Sequence, residues 1–210
     1  MTGRGRFIAL EGGEGTGKST QARLLAAALA ARGIDCVTTR EPGGTPGAEA
    51  IRVLLLDPAL PQWEPGAEAL LFAAARSDHV AHLIEPALAA GRWIICDRFV
   101  DSSLAYQGGA AGLGEEAIRA LHRVGSGGLL PDVTLLLEAD ARATTKRITA
   151  RDGDVADKIG GRGETFHNGV ALAFERLAEA EPARFRRIDA SGNPETVHAL
   201  VIHALSDLLP

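Results

Sequence analysis

The chain has 210 residues, of which 46% are hydrophobic and 23% charged, with a net charge of −5 and a pI of about 5.7. These are ordinary values for a globular protein and argue against disorder; at ~100–200 residues per domain the length fits one domain over residues 1–210. The acidic balance argues against a broad basic face for nucleic acid, and the longest apolar run, Leu24–Ala31, is far short of the ~20 residues that span a bilayer. Phe7–Leu10 is too short for a secretory segment and Glu11 follows at once. Cys36 and Cys96 form no disulfide framework and read as buried strand thiols. The expectation is a cytoplasmic protein with no membrane or nucleic-acid partner.

In chain order, Phe7–Leu10 reads as a strand that runs into a glycine-rich turn. Lys18–Arg32 is a helix by the spacing of Leu24, Leu25, Ala28 and Leu29, with Gly33 as its terminator. Cys36–Thr39 is a second strand, and Glu41–Gly47, rich in Pro and Gly, is a loop. Trp93–Cys96 is a third strand that ends at Asp97. Gln107–Gly114 and Gly125–Gly128 read as glycine-rich connections. Val133–Leu137 is a fourth strand entered from Pro131 and Asp132, and Phe185–Ile188 a weaker fifth. Between the last two, residues 151–164 form a polar excursion between helices. Most strand runs are continuous rather than alternating, which predicts parallel strands covered on both faces: a doubly wound α/β fold.

Gly12, Gly13, Glu14, Gly15, Thr16, Gly17, Lys18 and Ser19 fit G-x-x-x-x-G-K-[ST], between a strand and a helix. Glycines let the backbone wrap a phosphate, the helix start adds its positive end, Lys18 reaches the β- and γ-phosphates, and the Ser19 hydroxyl suits Mg²⁺. This predicts nucleoside triphosphate binding without fixing the reaction. No Asn-Lys-x-Asp guanine reader occurs, which weakens a GTPase switch. Asp97, closing an apolar strand, is a candidate for Mg²⁺ or for orienting the acceptor. Arg98 follows it, and Arg40 ends the second strand, so both reach the crevice at the carboxyl ends of parallel strands. Phe72 and Arg76 share one helix face. Arginines and an aromatic plane suit a planar base that carries a phosphate. As alternatives, Phe72 fits a core position and Asp97 a helix cap.

The turn Gly12–Thr20, the run Thr39–Thr45, the run Leu71–Arg76 and the run Asp97–Gly108, in this order and spacing, resemble bacterial thymidylate kinases. With Pro131-Asp132 and Ile188–Ser191 the resemblance covers nearly the whole chain. It implies a three-layer P-loop fold with a five-stranded parallel sheet, a short lid near residues 151–164, a homodimer, and transfer of the ATP γ-phosphoryl to dTMP with Mg²⁺. It further implies that Gly12 to Thr20 hold ATP and that Phe72 stacks on thymine while Arg76 bonds the base. Arg40 and Arg98 would hold the acceptor phosphate with Asp97, Tyr106 would exclude a 2′-hydroxyl, and Ser103 and Gln107 would contact the acceptor nucleotide. Helix capping is the alternative for Ser103. Glu41 is expected to orient Arg40.

The P-loop carries Glu14 and no arginine, which in this family goes with a catalytic arginine in the lid. Arg151 is the first candidate and Arg162 the second; Arg147 would lie against adenine beside Ala190–Gly192. The chain departs from the family where Asp157-Lys158-Ile159-Gly160 replaces the usual Asp-Arg and where Gly169 stands for a common arginine. The six histidines, His79 and His82 among them, suggest no metal set, and Trp63 is expected to pack a loop. Leu70, Leu71, Val80, Leu83 and Ile84 could face a partner subunit or the core. A thymidine kinase and a non-catalytic nucleotide sensor are the competing readings.

Overall fold

The computed structural model describes residues 3–139, 144 and 158–209. Among these, five strands make one parallel sheet in the order β2-β3-β1-β4-β5. They are β1 (Phe7–Glu11), β2 (Cys36–Arg40), β3 (Trp93–Asp97), β4 (Val133–Glu138) and β5 (Phe185–Asp189). All of β1 is buried. Its Phe7 and Ala9 join one core cluster, with Ile84, Leu104 and Phe174. Its Ile8 and Leu10 join the other, with Leu25, Leu29 and Val201. A strand with apolar partners on both faces has no reason to alternate, which explains its continuous hydrophobic run.

The helices are α1 (Lys18–Ala30), α2 (Pro46–Leu56), α3 (Pro65–His79), α4 (Glu85–Ala89), α5 (Val100–Ser103), α6 (Glu115–Ser126), α7 (Glu164–Ala180) and α8 (Pro194–Ala204). A π-helical segment, Val80–Ile84, joins α3 to α4, and another, Leu104–Ala110, extends α5. Caps fix two starts: Thr45 Oγ1 accepts from Ala48 N ahead of α2, and Asn193 from Thr196 N ahead of α8, each with proline in the first turn. The first turn of α1 holds no acidic residue, so its positive end stays available to an anion.

The sheet register sets the site. Leu10 pairs with Asp97 and Asp97 with Arg40, which lines up the ends of β1, β3 and β2 on one edge. Two expectations are corrected. Gln107–Gly114 and Gly125–Gly128 are not simply connections: Gln107–Ala110 is π-helical, and α6 runs through Gly125 to end on Gly127 in the left-handed region. Gly109 serves close packing, since a Cβ there would lie 2.6 Å from Ala173 Cβ of α7, while Gly112, Gly114 and Gly127 have positive φ and remain turn glycines. Cys36 is only half-buried, because β2 is an edge strand, whereas Cys96 is buried. Val80 and Ile84 belong to the core, Leu83 packs against it, and Leu70 is exposed. Trp63 does hold its loop, with Nε1 donating to Leu54 O at 2.9 Å.

Candidate active site

The turn between β1 and α1 folds over on itself through glycines. Gly12 has φ +133°, and a Cβ there would come within 2.3 Å of Leu137 O, so only glycine fits. Lys18 lies inside the curve, where Nζ donates to Gly13 O at 2.6 Å and Gly12 O at 3.2 Å. Burial and the Arg98 charge outweigh Glu14, Asp97 and Glu11 and pull the Lys18 ammonium down to about 8. Ser19 Oγ donates to Asp97 Oδ2 at 2.5 Å. A hydroxyl and a carboxylate this close form a hard oxygen pair of the kind Mg²⁺ takes when phosphates and water complete its shell.

A cleft of about 710 Å³ opens from this turn. Glu14 to Ser19 and Thr20 line one end, and Arg40, Phe72, Arg76, Arg98, Ser103, Tyr106 and Gln107 line the other, with Asp97 between. Every acceptor-side residue expected from the sequence is therefore in one cavity with the phosphate-binding turn. Ala190 and Gly192 border the same cleft. Arg147 and Arg151 lie outside the described residues.

Arg98 sits at the join. Its backbone has φ +70°, the one positive value at a described non-glycine residue. Its Nη2 donates to Glu14 Oε1 at 2.6 Å and its Nη1 to Gly12 O at 2.9 Å. Its guanidinium also lies 5.2 Å from the Tyr106 ring centre. Tyr106 packs edge-on against Phe166 and Phe174, and burial pushes its hydroxyl up to about 12, so it stays neutral.

Arg76 is buried and held from two sides: Nε donates to Glu41 Oε2 at 2.7 Å and Nη2 to Ser103 Oγ at 2.8 Å. Glu41 thus does not orient Arg40, which pairs instead with Glu49 at 3.0 Å. The other Glu41 oxygen accepts from His79 Nδ1 at 3.1 Å, and His79 Nε2 lies 2.7 Å from Thr39 Oγ1. Ser103 does not act as a helix cap: it precedes the Leu104–Ala110 segment without a side-chain cap hydrogen bond. Gln107 Nε2 donates to Glu68 Oε1 at 2.9 Å.

Arg162 meets Glu68 through its other oxygen and stacks on Phe166, 4.6 Å from the ring centre. Lys158 donates to Pro61 O at 3.0 Å. The cation nearest to lid chemistry in the described chain is thus tied to α3 rather than to the phosphate turn. Sequence reasoning missed Glu68 and the partnership of His79 with Glu41. Both are invisible in the sequence because their partners are brought in by the fold from distant positions.

A P-loop with its lysine, a hydroxyl–carboxylate pair, and a basic, aromatic-lined second compartment in one cleft together define a nucleotide phosphotransferase. The thymidylate kinase family model matches residues 10–201. The chain is 61% identical over 206 residues to the thymidylate kinase of Rhizorhabdus wittichii, covering 98% of this chain and 99% of that one. It is 48% identical over 211 residues to that of Bradyrhizobium diazoefficiens, covering 100% and 92%. The crystal structure of thymidylate kinase from Ehrlichia chaffeensis superposes with a TM-score of 0.77 at 30% identity, covering 96% of this chain and 99% of that one. The chain belongs to the thymidylate kinase family, and its reaction is the phosphorylation of dTMP to dTDP.

Proposed function

We propose that the two ends of the cleft hold ATP and dTMP at the same time and that the γ-phosphoryl passes directly between them. The observation that carries this reading is the single cavity shared by the phosphate turn, Glu14 to Thr20, and the acceptor set from Arg40 to Gln107. An oxygen of the acceptor phosphate bonds to the γ-phosphorus. The bond from that phosphorus to the bridging oxygen breaks, and ADP leaves with the electron pair.

Gly12, Gly13, Glu14, Gly15, Thr16, Gly17, Lys18, Ser19 and Thr20 cradle the ATP phosphates, and Arg147 lies against adenine. Lys18 follows the charge that builds on the bridging oxygen. Ser19 and Asp97 would hold Mg²⁺, which when bound neutralises charge on the β- and γ-oxygens. Arg40 and Arg98 grip the acceptor phosphate. Phe72 offers its ring to thymine, and Arg76, locked by Glu41 and Ser103, offers its remaining donor to the base edge. Ser103 and Gln107 line the acceptor end, and Tyr106 fills the space where a 2′-hydroxyl would project. Arg151 supplies the lid cation to the transferring group.

The reading extends to a homodimer that works in the cytoplasm on free nucleotides. Exposed Leu70 on α3 and Val124 on α6, two helices packed on each other, support the dimer, and sedimentation velocity tests it. Among the described residues no helix is long and apolar enough to cross a membrane.

One coupled assay tests the whole. ADP release from ATP should require dTMP and should be absent with uncharged thymidine, which offers nothing to Arg40 and Arg98. Equal turnover with thymidine would favour a nucleoside kinase, and turnover with neither would favour a sensor.

A further inference from the structure

Glu11 ends β1, is fully buried and takes no part in the transfer described above. Its Oε1 accepts from the backbone N–H of Phe99 at 2.7 Å and of Ser102 at 3.1 Å. Its Oε2 accepts from Ser102 Oγ at 2.6 Å. The residue before it, Leu10, accepts the Arg98 N–H at 2.9 Å. The end of β1 therefore grips the whole turn that begins at Arg98. That turn needs a grip, because Arg98 has φ +70°, where a side chain crowds its own backbone.

The Ser102 hydroxyl has one proton. Given to Glu11, it leaves an oxygen lone pair facing Arg98 Nη1, 3.1 Å away. The chain runs one way: guanidinium to hydroxyl to carboxylate. An amide or a protonated acid at position 11 would itself donate toward Ser102 and turn the hydroxyl proton against a cation.

We propose that Glu11 is a positioning residue for phosphoryl transfer: through Ser102 and the Phe99 amide, its carboxylate fixes the Arg98 turn and aims the guanidinium at the acceptor phosphate. This rests on the acceptor-phosphate role proposed for Arg98.

The charges around Glu11 decide when the carboxylate is present. Asp101 of α5 repels it, while Asp101 itself is held by Arg184 ahead of β5 and by Thr134 of β4. Arg98 attracts it, Lys18 faces it from the phosphate turn, and the Cys96 thiol from β3. Burial and Asp101 outweigh Arg98 and the hydrogen bonds and push Glu11 up to about 7. The acid is thus protonated below neutrality and ionised above it, so the aimed state of Arg98 gains population as pH rises.

Steady-state kinetics on the full-length enzyme test this. Glu11→Gln keeps the size and removes the charge. It is expected to lower kcat by roughly 10- to 100-fold, as misplacement by about 1 Å does, with little change in the KM for ATP. It is also expected to lose the rise of kcat between roughly pH 6 and 8 that the native enzyme shows. Ser102→Ala cuts only the hydroxyl link; it should cost less, keep the pH rise, and add little to Glu11→Gln in the double variant.

Native kcat and native pH profile in Glu11→Gln overturn the inference, as does a slower variant that keeps the pH rise. Arg98→Ala run in parallel separates the two layers. If it turns over like the native enzyme, the role of Arg98 fails and takes this inference with it. If it is crippled while Glu11→Gln is native, only the inference fails. Should Glu11→Gln not fold, Ser102→Ala decides: a lowered kcat at an unchanged melting temperature supports the link, and a native kcat overturns it.

Discussion

Lys18 and Phe72 show how one side chain can serve both the fold and the chemistry, and how the two are separated. Lys18 is buried with its ammonium on the carbonyls of Gly12 and Gly13, so it shapes the turn as well as carrying charge. Lys18→Ala should lower kcat by ~10²–10³-fold, the effect of removing one preorganised cation, while nucleotide binding suffers less. Pre-steady-state rates beside equilibrium binding check this; near-native turnover would remove Lys18 from the mechanism. Phe72 is half-buried, packed against the core yet lining the cleft. A ring with one free face suits stacking, so Phe72→Ala should weaken dTMP by on the order of 1–3 kcal/mol and leave ATP unchanged. A fully buried Phe would instead cost ~3–5 kcal/mol of stability. A large melting loss with unchanged dTMP dependence would return Phe72 to the core. Glu41 marks where residue-scale reading stopped. In sequence its neighbour is Arg40, but α3 brings Arg76 and His79 to it, and a buried carboxylate takes the partners that surround it rather than an exposed one beside it in the chain.

Elements were legible where burial is two-sided and opaque where glycine serves packing. The runs of β1, β3 and β4 stand out because apolar helices cover both faces of the sheet. Both edge strands, β2 and β5, are partly exposed, and the mixed, charged composition of β5 makes it the faint one, while β2 still reads as a strand. The phosphate turn was legible because its glycines answer to backbone geometry alone. Gly109 reads as a turn residue because the sequence does not say that α7 will press against it, and Gly125 reads so although it lies inside α6 with ordinary space around it. Two substitutions separate these uses. Gly109→Ala places a methyl 2.6 Å from Ala173 Cβ and should cost ~1–3 kcal/mol by overpacking. Gly125→Ala meets Ser77 Cβ at an ordinary 3.4 Å inside α6, and should be neutral or stabilise by up to ~1 kcal/mol through helix propensity. For a chain of this size each kcal/mol moves the melting temperature by about 2–4 °C, so one calorimeter run per variant suffices. Equal melting temperatures for the two variants would contradict the close approach of α7 to the Leu104–Ala110 segment.

At the scale of the molecule, the strand order brings the carboxyl ends of β1, β3 and β2 together, and the phosphate turn and the proposed acceptor residues line a single cavity there. Direct transfer requires both substrates to be there together. A two-step route through a phosphorylated side chain would not. The distinction is thermodynamic. A ligand at 100 times its Kd that binds only the folded state adds about 2.7 kcal/mol, or roughly 5–11 °C of melting temperature here. ADP and dTMP, which do not react with each other in the forward direction, should each raise the melting temperature, and together their increments should sum. If the two compete for one subsite, the mixture should melt no higher than with the tighter ligand alone. Phe72→Ala at fixed concentrations should then shrink the dTMP increment and keep that of ADP. Loss of both increments would mean that the ring supports the whole cleft, and a mixture that melts the native enzyme no higher than the tighter ligand alone would end the proposal that both ends of the cavity are filled at once.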